Sequence, residues 1–413
     1  MKVREYLDKS EPALVEALQE LVRIPTVNPP GSNYKQIVDL LAKRCSSQGM
    51  DVRVHRVPDD EVERASVSST YPRYNLIARW QVGAPTTVHF NAHYDVVPAS
   101  GTWRFGSPFE PVVNNGSLYG RGSGDMKGSI AALLLALEAM RCSGTDPAFN
   151  IECSFTADEE TGGALGAGHI VRSGLVHADY AVVCEGAAGS RVGCAHNGVL
   201  WLVVEIVGKS SHASNPKEGV NAFEAMVATV THLKRVRKQL EAPRRRYRDF
   251  NGNERSPTMI MGGVFAGSDG DKINTVPGRS SFSIDRRLVP GEHLAKVEKD
   301  LIRTLKRASE QSPKARFNVE TRLRIEPCSV DPQHELPQAF ARAVQRVRRR
   351  PPEFRTTSGF TDLHYFVEDA GIPGVSYGVK GEHGHAVDER VGVHDVMQTA
   401  RTYAEFMQHE ISQ

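Results

Sequence analysis

The stretch Thr86–Asp95, TTVHFNAHYD, decides how the first half of the chain is read. Its first seven residues, Thr86–Ala92, contain the apolar residues Val88, Phe90 and Ala92, and we interpret this short segment as a buried β-strand. Two later segments with the same character, Asn150–Ala157 and Asp179–Cys184, predict two more buried strands. These three strands would form the centre of a sheet.

Helical patterns separate these strands. Met126–Arg141 is apolar nearly all round, which predicts a long buried helix between the first two strands. Gly166–Ser173 predicts a shorter helix between the second and third strands. Strands that alternate with helices indicate an α/β domain, and we expect a mostly parallel sheet covered on both faces.

The pattern changes from about Cys194. The next segments predict, in order, a strand, a helix, two strands, a helix and a strand: Trp201–Val207, Asn221–Leu240, Thr258–Phe265, Ser280–Arg287, Glu292–Ala308 and Phe317–Ile325. This βαββαβ order is typical of ferredoxin-like α+β domains. We therefore expect an inserted domain at residues 194–328.

The last part of the chain returns to the α/β pattern. It predicts a helix, a strand and a helix at Glu335–Arg349, Gly374–Val379 and His394–His409. Residues 329–413 are thus expected to complete the domain that begins with residues 1–193. A chain of 413 residues is long enough for two such cores.

Charge and composition exclude some classes of protein. The net charge is +2, and the two arginine-rich runs, Arg244–Arg248 and Arg346–Arg350, match no known nucleic-acid-binding motif, so we interpret them as solvated surface and expect no nucleic-acid partner. The longest apolar run, Ile130–Leu137, is too short to span a bilayer. Met1–Glu20 is charged throughout, unlike a signal peptide, and the six cysteines include no C-x-x-C pair. We expect a cytoplasmic protein.

Ligand-type side chains follow the predicted strands. They are His93 and Asp95 after the first, Asp158-Glu159-Glu160 after the second, Glu185 after the third, Gly381–His385 (GEHGH) after the return strand, and Asp125 at the end of GRGSGD before the long helix. Ligands bind beyond the carboxyl ends of strands in such sheets. Each feature alone is ordinary, but imidazoles and carboxylates gathered at one edge are the ligands that zinc accepts.

This ordered motif set resembles that of the M20 metallopeptidase family, which includes acetylornithine deacetylase, succinyl-diaminopimelate desuccinylase, aminoacylase-1 and glutamate carboxypeptidase. The resemblance covers essentially the whole chain. It implies two Zn²⁺ ions per subunit, for which Co²⁺ or Mn²⁺ could substitute. Carried over to this sequence, His93 and Glu185 would hold one ion, Glu160 and His385 the other, and Asp125 would bridge them.

The same resemblance implies roles for the residues beside these ligands. Asp95 would orient the imidazole of His93, and Glu159, which is not a ligand, would act as the general base. His383 competes with His385 for the last ligand position. The family pattern His-x-x-x-Glu fits His385 with Glu389, so His385 is the predicted ligand.

Further roles fall on the inserted domain, which the resemblance implies is a lid and dimerisation domain. His212 would stabilise the oxyanion in the active site of the partner subunit of a homodimer. Asn274 and Arg287 match positions linked to substrate binding, and the planar guanidinium of arginine suits a carboxylate. Outside the inserted domain, Gly359 lies in the loop Ser358–Asp362, which resembles the loop of the family's catalytic domain that faces the substrate, and it would let a substrate approach the backbone closely.

The predicted activity is zinc-dependent hydrolysis of an amide bond in an N-acyl amino acid, as in the deacetylases and desuccinylases. A dipeptidase or carboxypeptidase of the same family is the alternative. A catalytically silent binding protein on this scaffold would lack a ligand or the base, and neither is missing from the sequence.

Overall fold

The strand predicted around Phe90 lies inside a nine-stranded sheet. The structure is a computed structural model, and it describes residues 2–65, 67–240, 242, 246–268, 270 and 272–411. Among these residues the α-helices are α1 (Val3–Lys9), α2 (Glu11–Val22), α3 (Tyr34–Ser47), α4 (Asp59–Arg64), α5 (Gly128–Cys142), α6 (Ala167–Arg172), α7 (Ala222–Leu240), α8 (Leu294–Ser309), α9 (Glu335–Arg348) and α10 (Val393–Met407).

The strands are β1 (Asp51–Arg56), β2 (Tyr74–Trp80), β3 (Thr87–His93), β4 (Val112–Asn114), β5 (Ser117–Tyr119), β6 (Asn150–Thr156), β7 (Tyr180–Val183), β8 (Arg191–His196), β9 (Gly198–Val207), β10 (Ser211–His212), β11 (Tyr247–Arg248), β12 (Glu254–Arg255), β13 (Thr258–Gly267), β14 (Thr275–Val276), β15 (Arg279–Leu288), β16 (Arg316–Ile325), β17 (Cys328–Ser329), β18 (Glu353–Thr357), β19 (Gly374–Ser376), β20 (Gly381–Glu382) and β21 (Arg390–Gly392).

The chain divides into two compact units. Unit 1 consists of Met1–Ala195, Ser329–Thr357 and Thr361–Gln413, and unit 2 consists of His196–Cys328 with Ser358–Phe360. The loop at Ser358–Phe360 therefore groups with unit 2, whereas the sequence had assigned it to the end of the first domain. Arg244 and Arg245, in the first arginine-rich run, lie outside the described residues.

The large sheet of unit 1 is mixed, which corrects the prediction of a mostly parallel sheet. Its order is β1-β2-β6-β3-β7-β19-β8-β17, with β18 beside β8. The central neighbours β6, β3, β7 and β19 pair in parallel, while β1, β2 and β8 join by antiparallel pairing. These three outer strands were not recognised in the sequence, and β1 and β2 are consecutive strands that pair antiparallel.

Helix α5 explains why the predicted helix is apolar all round. It packs against α10, α1 and α2, and twelve of its residues are buried. The core of unit 1 therefore surrounds α5 on several sides. A helix able to cross a bilayer is not found among the described residues.

Unit 2 has the strand and helix order expected for residues 194–328. Its four-stranded sheet has the order β13-β15-β9-β16, and each neighbouring pair is antiparallel. Alternate residues of β9 pack into the core of unit 2, namely Leu200, Leu202, Val204 and Ile206. Residues of α7 and α8 contribute to the same core. Side chains alternate between the two faces of a strand, so this polar-apolar pattern places the apolar residues on the face of the sheet that α7 and α8 cover.

Candidate metal centre

Three parallel strands of unit 1 end at the same edge of the sheet and carry ligand-type residues there. His93 is the last residue of β3, the short 3₁₀ turn Glu159–Thr161 follows β6, and Glu185 lies just beyond β7. Because β6, β3 and β7 are parallel neighbours, their carboxyl ends lie side by side. Topology alone therefore brings these side chains together.

Asp125 and His385 reach the same place from other parts of unit 1. Asp125 lies in the turn Ser123–Lys127 that leads into α5, and His385 lies between β20 and β21. Two groups of possible metal ligands result, His93 with Asp125 and Glu185, and Asp125 with Glu160 and His385; within each group the ligand atoms lie within 4.8 Å of one another. Asp125 belongs to both groups.

The two oxygens of Asp125 face different imidazoles. Its Oδ1 is 3.2 Å from Nε2 of His93, and its Oδ2 is 3.3 Å from Nε2 of His385. His93 Nε2 is also 3.8 Å from Oε2 of Glu185, and His385 Nε2 is 3.0 Å from Oε2 of Glu160. A carboxylate in this position can hold two cations at once.

Unsatisfied polar atoms show that the residues fit a metal. Within the described part of the chain, His93 Nε2, Glu160 Oε1 and Glu185 Oε1 are buried and have no hydrogen-bond partner. Leaving such an atom unpaired costs about 1–3 kcal/mol, and more when it is charged. Metal coordination would satisfy all three atoms.

The electrostatics of the cluster indicate an excess of negative charge. Burial and the neighbouring carboxylate of Asp125 raise the pKa of Glu160 to about 7. Contacts with Asp125 and Glu160 raise the pKa of His385 to about 10. Both shifts mean that positive charge is favoured here, and two divalent cations would supply it.

Glu159 lies at this centre without belonging to either ligand group. Its Oε2 is 3.8 Å from Nε2 of His93, and the residue is 6% exposed. Burial and the nearby carboxylate of Glu185 raise the pKa of Glu159 well above its usual value. A buried carboxyl group beside the candidate ligands is in a position to accept and release a proton.

Asp95 contacts both the imidazole of His93 and the turn that follows β6. Nδ1 of His93 is 3.1 Å from the backbone oxygen of Asp95 and 3.5 Å from its carboxylate, so the backbone carbonyl is the closer partner of the imidazole. The carboxylate instead accepts hydrogen bonds from the backbone N–H groups of Glu159 (3.1 Å) and Glu160 (3.2 Å). Asp95 thus ties the turn after β6 to the end of β3.

Glu389 is a residue whose structural role the sequence did not reveal. Its carboxylate accepts hydrogen bonds from the N–H groups of Gly122, Gly124 and Asp125 at 3.0–3.1 Å, and from the buried Arg121. Gly122 has φ of +81°, and a Cβ there would lie 2.5 Å from Val96. Glu389 and this glycine together hold the loop that presents Asp125.

A second buried cluster supports the turn at Glu159 from behind. Asp158 has φ of +61°, and its carboxylate accepts hydrogen bonds from Arg73 (2.7 Å), Tyr34 (2.8 Å) and Asn28 (3.1 Å). Asn28 also donates to Asp95 at 3.0 Å. This network holds Asp158, the residue directly before Glu159, in its left-handed conformation.

Arg73→Leu should lower the free energy of unfolding by about 3–5 kcal/mol, because it leaves the buried carboxylate of Asp158 without its cation. Arg73 is 1% exposed, so solvent cannot replace the lost partner. Urea denaturation would measure the loss. Arg64→Leu removes the same group from a pair that is 72% and 75% exposed and should change stability little. Equal effects of the two substitutions would show that the Arg73–Asp158 pair is not important.

His383, the competing ligand candidate, is not in either ligand group among the described residues. It is exposed and has φ of +58°, on a segment where His385 also has a positive φ. The structure therefore brings His385, rather than His383, to Asp125 and Glu160.

In unit 2, the structure brings His212 and Asn274 together. β10, which ends at His212, pairs with β14, and the N–H of Ala213 donates to the backbone oxygen of Asn274 at 2.8 Å. The N–H of Ser214 donates to Nδ1 of His212 at 3.2 Å. The hydroxyl oxygen of Ser214 lies 2.7 Å from the same nitrogen, so Ser214 fixes the orientation of the imidazole through Nδ1.

Arg287 and Gly359 have less distinctive surroundings in unit 2. The guanidinium of Arg287 is paired with both carboxylate oxygens of Asp285 at 2.9 and 3.0 Å, so it already has an anionic partner. A Cβ added at Gly359 would meet no described atom within 4 Å. Packing therefore does not require glycine at this position.

Comparisons with known proteins identify the family of this chain. Residues 89–409 match the model of peptidase family M20/M25/M40. The chain is 30% identical to an acetylornithine deacetylase from Proteus mirabilis over 315 residues, 75% of each protein. It is 27% identical to a succinyl-diaminopimelate desuccinylase from Beijerinckia indica over 412 residues, 97% of this chain and 99% of that protein.

A solved structure shares the fold. The M20 family metallo-carboxypeptidase Sso-CP2 from Sulfolobus solfataricus superposes with a TM-score of 0.77 at 18% identity, over 95% of this chain and 98% of that chain. The resemblance inferred from the motifs is thus confirmed. The chain belongs to peptidase family M20/M25/M40 and is a hydrolase that acts on amide bonds.

Proposed function

We propose that this protein hydrolyses the amide bond of N-acyl amino acids, with two divalent metal ions, zinc in the first place, and with Glu159 as the general base. The observation that carries the proposal is the shared carboxylate of Asp125. It joins two ligand groups, and Glu159 remains outside both at 3.8 Å from His93 Nε2.

The proposed ligands are His93 and Glu185 for one ion, Glu160 and His385 for the other, and Asp125 for both. Bound there, the ions would polarise the scissile carbonyl and lower the pKa of water in the site. The carboxylates of Asp125, Glu160 and Glu185 carry three negative charges and Glu159 a fourth, which equals the charge of two divalent cations.

The chain's own groups then move the proton. Glu159 would accept a proton from the attacking water and deliver it to the nitrogen of the leaving amine, so that a poor leaving group departs neutral. Asp95, through its bonds to the N–H groups of Glu159 and Glu160, would keep the base beside the ligands. His212 would donate from Nε2 to the oxygen on which negative charge develops.

The substrate class is supported by the relatives. The two proteins compared over most of this chain are named for removing acetyl and succinyl groups from amino-acid derivatives. The alternative is a peptidase, and the observation in its favour is the 0.77 TM-score with a metallo-carboxypeptidase. A silent binding protein is disfavoured, because the five proposed ligands and Glu159 are all present.

A substrate panel tests this proposal. The release of free amine from N-acetyl and N-succinyl amino acids and from dipeptides would be measured with Zn²⁺ or Co²⁺ added. We expect the highest kcat/KM on an N-acyl amino acid. Preference for dipeptides would favour the peptidase alternative, and no turnover of any of them would contradict the proposal.

We propose that Arg287 binds the carboxylate of the substrate, which would replace Asp285 as the partner of the guanidinium group. Arg287→Ala should then lower kcat/KM about tenfold or more for substrates with a free carboxylate, because hydrogen bonds between charged groups contribute about 1.5–3 kcal/mol. The matching substrates with an amide in place of the carboxylate should be affected much less. Equal losses on the two sets would indicate that Arg287 only pairs with Asp285.

A homodimer is proposed through unit 2. β13 is an edge strand of its sheet, and it exposes the apolar side chains of Ile260 (57%), Val264 (72%) and Phe265 (73%). An apolar edge strand is a template for pairing with another chain, and a two-fold axis would cover both edges. A cytoplasmic location stays a prediction from the sequence.

A further inference from the structure

A cavity of about 450 Å³ lies in unit 1 among three helices. It is lined by α1, the C-terminal end of α9 and the second half of α10, including Val3, Leu7, Val347 and Ala404. No residue of the two metal-ligand groups lines it. Its volume is in the range of small-molecule sites.

Arginine dominates the charge of this cavity. The lining contains two acidic residues, Asp8 and Glu405, and four arginines, so it carries two positive charges in excess. The four arginines are Arg4, Arg346, Arg349 and Arg401. Two of the four, Arg346 and Arg349, belong to the second arginine-rich run noted in the sequence. The folded chain thus adds Arg4 and Arg401 to that run from distant positions.

The acidic residues orient two of these guanidinium groups. Arg401 donates to Asp8 at 2.8 Å, and Arg346 donates to Glu405 at 3.3 Å. A guanidinium has five N–H donors, so each of these arginines keeps further donors for another acceptor. The acidic side chains therefore orient the two arginines and leave some of their N–H donors available to an anion.

The other two arginines are less engaged. Nε of Arg4 lies 4.0 Å from Asp8, beyond hydrogen-bonding distance. Arg349 caps the C-terminus of α9 with φ of +56°, and it forms no ion pair with any residue that the structure describes. Both guanidinium groups can turn towards an anion in the cavity.

We propose that this cavity binds a small anion with two or more negative charges, a phosphate group or a compact dicarboxylate. The planar fork of arginine makes paired hydrogen bonds with the oxygens of either group. Gln398 and Gln408 add amide donors to the lining. None of the described lining residues is a histidine, cysteine or serine, which favours binding over catalysis.

Isothermal titration calorimetry of the metal-loaded protein with inorganic phosphate, and separately with malonate, tests this site. The cavity variant is Arg4→Gln with Arg349→Asn, since asparagine tolerates a positive φ. The matched control is Arg53→Gln with Arg350→Gln, which removes the same charge from two exposed residues outside the cavity.

We expect wild-type protein and the control to bind at least one of the anions with affinities within about twofold. The cavity variant should bind it at least about tenfold more weakly, because each charge-assisted hydrogen bond contributes about 1.5–3 kcal/mol. The anion that binds more tightly shows whether the cavity prefers a phosphate group or a dicarboxylate. An anion that binds at the metal centre would still bind to the cavity variant, so the comparison distinguishes binding at the metal centre from binding in the cavity.

Two results would overturn the proposal. One is that neither anion binds the wild-type protein. The other is that the cavity variant and the control lose affinity equally or not at all, which would mean general electrostatic attraction or binding elsewhere. Should the double variant fail to fold, Arg4→Gln alone decides, because the Arg4 side chain is 80% exposed and its loss leaves the core intact.

Discussion

Glu159→Gln should lower kcat for amide hydrolysis by a factor of about 10²–10⁴ while the protein keeps its full metal content. Glutamine has the shape of glutamate but cannot take a proton from water. Glu159 lies outside both ligand groups, so metal binding does not depend on its charge. Steady-state kinetics together with elemental analysis of the same sample would measure both quantities.

Glu160→Gln is the matched control, since it removes the same charge from the next residue. Its carboxylate lies 3.0 Å from His385 and belongs to a ligand group, so this variant should lose metal affinity. Activity lost by Glu160→Gln should return in part at high metal concentration, whereas that of Glu159→Gln should not. If both variants lost metal equally and high metal restored both, the separation of base and ligand would be wrong.

The second large effect is expected when two inactive variants are mixed. The resemblance to the M20 family implies that His212 serves the site of the partner subunit, and His212 is exposed. Glu159→Gln and His212→Ala should each be nearly inactive alone. Co-assembled from equal amounts, they should recover about a quarter of wild-type activity.

This fraction follows from two-fold symmetry. With random pairing, about half of the dimers are mixed. One site of each mixed dimer has its own Glu159 and receives His212 from its partner, while the other site lacks both. If His212 serves its own subunit, every site lacks one group and mixing restores nothing. Exchange of subunits must be verified first, with differently tagged chains, because absent exchange gives the same result.

The clustering of the candidate ligand residues could be predicted from the sequence because one topological rule covers most of them. His93, Glu160 and Glu185 each follow a buried apolar strand, and the ends of parallel strands meet at one edge. His385 follows the return strand in the same way. The rule needs only the central strands β3, β6, β7 and β19, and these were the ones with clear apolar patterns.

The outer strands could not be predicted because polar residues interrupt their patterns. β2 contains Asn75 and Arg79, yet both are accommodated by partners far along the chain. Asn75 donates to Leu165 at 2.9 Å, and Arg79 pairs with Glu152 at 2.6 Å. Tyr74–Trp80 was therefore not recognised as a strand, although it contains Leu76, Ile77 and Ala78, and the antiparallel side of the sheet goes unnoticed.

The supporting residues of the site were missed for a related reason. Glu389 bonds to Gly122, which is 267 positions away, and Arg73 bonds to Asp158, which is 85 positions away. Glu389 entered the sequence analysis only as the partner of His385 in the His-x-x-x-Glu pattern, and Arg73 lies in no pattern that singles it out. Their contribution arises only when the fold buries a charge and places its partner beside it.

The central claim is that Asp125 joins two metal positions, and metal content per chain tests it most directly. Metal-free protein would be reconstituted with Zn²⁺, dialysed and analysed by elemental analysis, with activity measured on the same sample. We predict about two zinc ions per chain, as expected for a two-metal hydrolytic site, no activity without metal, and recovery with Zn²⁺ or Co²⁺. Full activity of the metal-free protein, or saturation of activity at one ion per chain with no second ion bound, would contradict the account.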